Sequence, residues 1–121
     1  MQLCLIVDDS RVVRMVARKI LQDLGFETME AEDGRRAMEC CLKKMPDAIL
    51  LDWNMPVMNG IDFLRELRKT PGGDVPKVVF CTTENDIGHI QEAIGSGADE
   101  YIMKPFDSDI ISSKFSQVGL L

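Results

Sequence analysis

The chain has 121 residues, 45% of them hydrophobic and 28% charged, which fits one globular domain spanning residues 1–121 and excludes a disordered segment. Its net charge of −6 argues against a nucleic-acid-binding surface, because contacts to phosphates need clustered Lys and Arg side chains. No apolar run approaches the roughly 20 residues of a membrane helix, and the N-terminus lacks the pattern of a secretory leader, so no membrane insertion is expected.

The first half of the chain alternates apolar runs with helical patterns. Residues 3–7, LCLIV, are typical of a strand buried on both faces. A helical pattern follows from Arg11 to Leu24, and Gly25 ends it. FETMEA predicts a half-exposed second strand, and a second helix runs from Arg35 until Pro46 stops it. The predicted buried residues of the two helices are Val12, Val13, Val16, Ala17, Ile20, Leu24, Ala37, Met38, Cys41, Leu42 and Met45, and the first helix is predicted to turn Arg14, Arg18, Gln22 and Asp23 to solvent.

The second half continues the alternation. DAILLDW predicts a third strand that ends in an acid, MPVMNG indicates a loop, and residues 61–69 are helical. KVVFCTT predicts a fourth buried strand, followed by a helix from Asp86 to Gly95 with its isoleucines on one face. GADEYIM predicts the fifth strand, and a last helix runs from Asp107 to about Val118. The four cysteines lack C-x-x-C spacing and indicate reduced thiols in a cytoplasmic protein.

This order of elements predicts the architecture. Five strand–helix units in strict alternation, with nearly continuous apolar strands, favour an α/β fold in which helices cover both faces of a doubly wound parallel sheet. In such sheets ligands bind beyond the carboxyl ends of the strands, where the strand order reverses. The residues that follow the strands are therefore the candidates for a functional site.

Acidic and cationic residues follow several of these predicted strands. Asp8 and Asp9 follow the first strand, Asp52 ends the third, Thr82 ends the fourth, and Lys104 follows the fifth. Each has an ordinary alternative: Asp9 or Ser10 could cap the first helix, Asp52 could open a turn, Thr82 could cap the fourth helix, and Lys104 could be a solvated surface lysine. Together they suit Mg²⁺, which prefers carboxylate oxygens, and a phosphoryl group, whose oxygens suit an ammonium and a hydroxyl.

Three kinds of function fit such an edge. The first is a binding module controlled by phosphorylation. The second is an enzyme, a Mg²⁺-dependent aspartyl phosphatase or phosphotransferase, although those enzymes usually carry D-x-D after the first strand and here the two acids are adjacent. The third is a flavodoxin-like cofactor binder, which would need a phosphate-binding loop where this chain has two carboxylates.

Four motifs, in order along the whole chain, resemble the receiver domains of two-component response regulators, in particular single-domain regulators of the CheY chemotaxis type. The motifs are VDDS after the first strand, LLDWNMPVMNG around Asp52, CTTE at the fourth strand and YIMKPF near the end. The resemblance implies a flavodoxin-like, five-stranded sheet in the order 2-1-3-4-5. It also implies a cis peptide bond between Lys104 and Pro105.

The resemblance further implies a role for each residue at the edge of the sheet. Asp52 would accept the phosphoryl group, and Lys104 would bind its oxygens. Thr82 would be the switch hydroxyl and Tyr101 the aromatic switch. The ligands of Mg²⁺ would be Asp8, Asp9, Asp52 and the main-chain carbonyl of Asn54.

The function implied is that of a switch and not of an enzyme. A histidine kinase or a histidine phosphotransfer protein would phosphorylate Asp52, and the face formed by the fourth helix, fifth strand and fifth helix would then change its affinity for a downstream protein. A flagellar switch protein is one candidate target, and a phosphorelay shuttle or an adaptor is the alternative. The protein is expected to act as a monomer and to dephosphorylate itself, at a rate tuned by Asn54, Thr83 and Glu84.

Overall fold

The computed structural model describes residues 1–83 and 87–121, and within these residues five strands alternate with five helices. The strands are β1 (Leu3–Val7), β2 (Glu27–Ala31), β3 (Ala48–Asp52), β4 (Lys77–Thr82) and β5 (Glu100–Met103). The helices are α1 (Arg11–Asp23), α2 (Gly34–Lys43), α3 (Gly60–Lys69), α4 (Ile87–Gly95) and α5 (Ser108–Gln117).

The strands form one parallel sheet in the order β2-β1-β3-β4-β5, as predicted. The strand order reverses between β1 and β3, which are neighbours in the sheet although β2 lies between them in the chain. Near the carboxyl edge, Val7 pairs with Leu51, and Thr82 pairs with Met103. The residues that follow β1, β3, β4 and β5 therefore lie along the same edge.

Helices cover the sheet on both faces, and each face has its own apolar core. On one face, α1 and α5 pack against the sheet through Ala17, Leu21 and Phe115. On the other face, α2, α3 and α4 contribute buried residues that include Phe63 and Ala93. This double cover explains why β1, β3 and nearly all of β4 are continuously buried, whereas the edge strand β2 is only partly so.

The helices begin where side chains cap them. Ser10, Asp33, Asn59 and Asp107 each accept a hydrogen bond from the backbone amide three residues further on. Because of these caps, α2 and α3 begin at Gly34 and Gly60, one residue before the predicted starts. The predicted start of the fourth helix, Asp86, lies outside the described residues.

The predicted buried faces of the helices are only partly correct. In α1 the buried residues are Ala17 and Leu21, while Val12 is 64% exposed and Val16 is 45% exposed. An amphipathic helix on a sheet buries a single stripe, so apolar residues beside that stripe stay in solvent. Three other residues predicted to be buried or to share an apolar face are exposed for the same reason: Leu42, Ile87 and Ile94.

Two further features concern the cysteines and the length and apolar character of the helices. All four cysteines are free thiols, and Cys4, Cys41 and Cys81 are buried. Across residues 1–83 and 87–121, no helix combines the length and the apolar character that crossing a membrane requires.

Candidate functional site

Three carboxylates meet at the carboxyl edge of the sheet. Asp8 directly follows β1 and Asp52 ends β3, the adjacent strand, and both are buried, with 3% and 6% exposure. Asp9 is exposed to solvent. One carboxylate oxygen from each of these three residues lies within 4.8 Å of the others. The adjacent acids in the sequence thus belong to one cluster with Asp52, which could hold a metal ion.

Lys104 brings a positive charge into this cluster. It follows β5, and its backbone amide donates to the carbonyl of Thr82 at 2.8 Å. Its ammonium donates to Oδ2 of Asp8 and lies 3.2 Å from Oδ1 of Asp52. Only 14% of its side chain is exposed, so it is not a solvated surface lysine. The Lys104–Pro105 peptide bond is cis, as expected.

Burial and the charges of this cluster shift the pKa values of Asp52 and Lys104. The pKa of Asp52 is raised to about 6, first because burial disfavours the ionised carboxylate and then because the Asp8 charge lies nearby, with partial relief from Lys104. Burial by itself lowers the pKa of Lys104, but the hydrogen bond to Asp8 and the charges of Asp52 and Asp8 outweigh that effect and raise it. Lys104 therefore remains an ammonium, and one cation faces three carboxylates.

The surplus of negative charge fits a divalent cation. Mg²⁺ prefers carboxylate, carbonyl and water oxygens, and the three carboxylates of this cluster offer that donor chemistry. The side of the cluster nearest Asp9 is open to solvent, so a cation has a path to it. Asn54, whose carbonyl the resemblance adds to the ligand set, is exposed in the loop that follows β3.

The loop between β3 and α3 folds back closely on Asp52. The amide of Gly60 donates to the carbonyl of Trp53 at 2.9 Å. A Cβ atom on Gly60 would lie only 2.3 Å from the carbonyl oxygen of Asp52, so this position has no room for a side chain. Val57, in the same loop, has a φ of 68°, which is unusual for a β-branched residue. Neither feature could be read from the sequence pattern, because both depend on how the loop folds back.

The turn between β1 and α1 holds Asp8 through several hydrogen bonds. The amide of Asp8 donates to the carbonyl of Ala31 at 3.1 Å, and Oδ1 of Asp8 accepts from the amide of Ser10 at 2.8 Å. Ser10, and not Asp9, caps α1. The carbonyl of Asp8 accepts a hydrogen bond of 2.7 Å from Arg14, a residue predicted to face solvent, of which only 15% of the side chain is exposed.

The switch residues of the resemblance lie on the two adjacent strands β4 and β5. Thr82 is fully buried at the end of β4, and Thr83 is exposed just after it. Tyr101 is half-buried on β5, and the ammonium of Lys114 lies 5.2 Å from the centre of its ring. Glu84, the third residue expected to tune dephosphorylation, lies outside the described residues. The roles of these residues stay predictions.

A ring contact connects the loop after β3 to α4. Trp53, the residue after Asp52, is half-buried, and its ring centre lies 3.8 Å from that of His89 at an interplanar angle of 35°. His89 is the single histidine of the chain and was predicted to be ordinary helix surface. The tryptophan after Asp52 is visible in the sequence, but its partner on α4 is decided by how that helix packs.

Known proteins are similar to this chain in both sequence and fold. The sequence model of the response regulator receiver domain family matches residues 4–116. The chain is 36% identical to the chemotaxis protein CheY of Pseudomonas aeruginosa, over 94% of this chain and 93% of that protein. It is 37% identical to the chemotaxis protein CheY-3 of Vibrio cholerae, over 94% of this chain and 88% of that protein. The solved structure of Vibrio cholerae CheY4 matches with a TM-score of 0.92 and 34% identity, over 98% of both chains.

Sequence and fold therefore agree on one family. The strand order and the alternation of elements are those that the resemblance implies. The family match covers residues 4–116, which is nearly the whole chain. This chain belongs to the response regulator receiver domains, the signalling modules of two-component systems.

Proposed function

We propose that the chain is a chemotaxis-type phosphorylation switch whose phosphoryl acceptor is Asp52. One observation carries the proposal: a buried carboxylate at a strand end has a lysine ammonium 3.2 Å away and two further carboxylates around it. Burial and negative neighbours cost free energy when Asp52 ionises, so the site is costly as a purely structural feature. A site that gathers a cation and a phosphoryl group has a use for that arrangement.

The reaction is a transfer of the phosphoryl group from a phosphohistidine. A carboxylate oxygen of Asp52 attacks phosphorus, the P–N bond breaks, and the imidazole leaves with the electron pair and takes up a proton. Lys104 offsets charge on the phosphoryl oxygens, and its hydrogen bond to Asp8 holds it in reach. Mg²⁺, held by Asp8, Asp9, Asp52 and the carbonyl of Asn54, would supply further charge neutralisation. Such transfers depend mostly on positioning and electrostatics.

The acceptor can be tested with acetyl phosphate and Mg²⁺. Intact-mass measurement should show one added phosphoryl group on the wild type and none on Asp52→Asn, because an amide cannot form the acyl phosphate. Asp62→Asn, which changes an exposed acid on α3, is the matched control and should be labelled like the wild type. Full labelling of Asp52→Asn would assign the acceptor to another residue.

The partners follow from this chemistry. A histidine kinase or a histidine phosphotransfer protein donates the phosphoryl group, and a downstream protein reads the changed surface of α4, β5 and α5. Support for chemotaxis comes from relatives named chemotaxis proteins, which makes a flagellar switch protein one candidate target. The free thiols support a reducing compartment, the cytoplasm. A pull-down with and without beryllofluoride, which imitates the phosphoryl group, would identify the target.

Dephosphorylation would reset the switch. Water attacks the phosphorus of the acyl phosphate, the P–O bond to Asp52 breaks, and the carboxylate leaves with the electron pair, which releases inorganic phosphate and a proton to solvent. Polar side chains of Asn54 and Glu84 would orient the water, while the exposed Thr83 would narrow its approach. We expect Glu84→Ala to slow the loss of phosphate and Thr83→Ala to leave it equal or faster. A wild type that keeps its phosphoryl group for hours, with Glu84→Ala no slower, would contradict a chemotaxis-type reset and favour a relay or an adaptor.

A further inference from the structure

Arg14 holds the main chain at the point where the two clustered acids are joined. Its Nη1 donates to the carbonyl oxygen of Asp8 at 2.7 Å, and its Nε donates to Oε1 of Glu30, on β2, at 3.2 Å. Only 15% of the Arg14 side chain is exposed, and 30% of the Glu30 side chain. A guanidinium with two fixed partners on different elements is far more restricted than a solvated arginine.

The carbonyl that Arg14 binds belongs to the peptide unit between Asp8 and Asp9. Because a peptide unit is planar, fixing its oxygen also fixes the amide nitrogen and the Cα atom of Asp9, from which the Asp9 side chain extends. The hydrogen bond from the Ser10 amide to Asp8 then restricts the rotation about the main-chain bonds of Asp9. The other polar groups of Asp8 are engaged by Ala31, Ser10 and Lys104. The bond from Arg14 completes the set, and the whole turn is held in one conformation.

We propose that Arg14 is a positioning residue for the cation that the acidic cluster binds. It acts through the Asp8–Asp9 peptide unit and without touching the cation, by keeping the Asp9 carboxylate directed toward those of Asp8 and Asp52. The proposal rests on the proposed function, which assigns Mg²⁺ to this cluster. Outer residues that orient metal ligands typically change metal affinity by about 10–100-fold when they are removed.

A charge effect and a positioning effect of Arg14 predict opposite changes in Mg²⁺ affinity when Arg14 is replaced. A guanidinium is a cation, so removing it strengthens the attraction between the acidic cluster and Mg²⁺ if charge alone matters. If Arg14 positions the turn, removing it weakens Mg²⁺ binding despite that gain. The sign of the change in affinity therefore separates the two roles.

The chain offers a matched control for this comparison. Among the described residues, Arg18 lies one helical turn further along α1, and its Nη1 donates to the other carboxylate oxygen of Glu30 at 3.1 Å without a bond to Asp8. Removing Arg18 thus takes away one positive charge and one ion pair to Glu30, as removing Arg14 does. Only the Arg14 variant loses the contact with the peptide unit of the acids.

The experiment compares Arg14→Met, which keeps an apolar side chain in place of the aliphatic stem, with Arg18→Met in the full chain. Mg²⁺ affinity is measured by calorimetric titration, and exchange of the Ser10 amide, which donates to Asp8, is measured by NMR without Mg²⁺. We expect Arg14→Met to bind Mg²⁺ about tenfold more weakly and to lose several-fold protection at Ser10. Arg18→Met should match the wild type in both measurements.

A second variant covers the case in which Arg14→Met does not fold. Glu30→Gln keeps Arg14 but weakens its anchor, and should lower the protection of the Ser10 amide by a smaller factor than Arg14→Met. The Ser10 amide is the readout for this variant, because the loss of the Glu30 charge weakens Mg²⁺ binding by itself. Equal or tighter binding in Arg14→Met, or an equal loss in both arginine variants, overturns the positioning role and leaves the proposed function standing. A wild type that does not bind Mg²⁺ at all would instead overturn the metal site of the proposed function.

Discussion

At the scale of single residues, the site depends on a carboxylate that the fold makes costly to ionise. Asp52 is 6% exposed, and its pKa is raised to about 6 by burial and by the neighbouring Asp8 charge, in spite of Lys104. Near neutral pH the carboxylate is mostly ionised, so the folded protein carries unfavourable charge at this site until a cation arrives. The ionised Asp52 therefore lowers the stability of the fold when no cation is bound, a cost that the proposed acceptor role would explain.

This cost predicts a pH dependence of stability in the absence of Mg²⁺. The folded pKa of Asp52, about 6, lies above its ordinary value of 3.8, so the folded state binds the proton more tightly than the unfolded state. The stabilisation is complete below about pH 4 and is lost as the pH rises through 6. We expect the wild type to lose about 2–3 kcal/mol of unfolding free energy from pH 4 to 7 relative to Asp52→Asn, as measured by urea denaturation. Parallel pH profiles for the two proteins would contradict this expectation.

Val57 gives a second prediction at this scale. Its φ of 68° places a β-branched residue in the left-handed region, where L-residues other than Asn and Asp are disfavoured by about 1–2 kcal/mol. Its side chain is 78% exposed, so little packing is lost when it is replaced. Val57→Asn should raise the unfolding free energy by about 1 kcal/mol, because Asn tolerates this conformation.

The control for Val57 is Val75→Asn in another surface loop. Val75 is 62% exposed and does not have a positive φ. We expect its replacement to change the unfolding free energy by less than about 0.5 kcal/mol. Equal effects at both positions would show that the gain comes from polarity and not from the backbone conformation.

At the scale of elements, Asp52 is positioned by the loop that connects β3 to α3. Gly60 begins α3 and approaches the carbonyl of Asp52 so closely that a Cβ atom would lie 2.3 Å from it. In the same loop, the carbonyl of Met58 accepts from the amide of Gly34, the first residue of α2. α2, α3 and β3 are thus held together by main-chain contacts.

This close approach predicts the effect of Gly60→Ala. The methyl group would meet main-chain atoms, which cannot move aside as a flexible side chain can, so the loop and Asp52 must shift. We expect a loss of about 2 kcal/mol or more of unfolding free energy and slower labelling by acetyl phosphate. Gly95→Ala, at the end of α4, is the control, since a Cβ atom there meets no atom within 4 Å. A fully stable, normally labelled Gly60→Ala would contradict the geometry of this loop.

At the scale of the whole molecule, the sheet collects at one edge charges that are distant in the sequence. Asp8, Asp52 and Lys104 follow or end three different strands. The ammonium of Lys104 lies within hydrogen-bonding distance of both carboxylates. The three carboxylates at this edge repel one another when no cation is present, and together they attract one. The stability of the fold is therefore linked to the concentration of the cation.

That linkage predicts stabilisation by Mg²⁺. A ligand that binds only the folded state adds about 1.4 kcal/mol when its concentration is tenfold above its dissociation constant, so millimolar Mg²⁺ should raise the melting temperature. Asp9→Asn should be more stable than the wild type without Mg²⁺, because it relieves repulsion, and should respond less to Mg²⁺. Asp74→Asn, the same change at an exposed acid outside the cluster, should respond like the wild type. A melting temperature that does not change with Mg²⁺ would contradict the assignment of a cation site to the three carboxylates.

The order of the elements and the edge where the site lies both follow from the pattern of residues along the chain. Continuous apolar strands and amphipathic helices follow from side-chain periodicity, which is a local property, and parallel alternation then places every strand end at one edge. For that reason the sequence pattern is enough to group Asp8, Asp9, Asp52 and Lys104.

Packing decides which apolar residues are buried and which polar side chains reach across elements. Val12 and Arg14 are close neighbours on α1, yet the apolar one is mostly exposed and the charged one reaches the carbonyl of Asp8. Periodicity predicts that a helix has a buried stripe, but how wide that stripe is depends on what packs against it. Arg14 contacts Glu30 on a different element, and Gly60 reaches Asp52 only because the loop between them folds back. Periodicity along the chain does not predict such contacts, so the tertiary structure alone determines them.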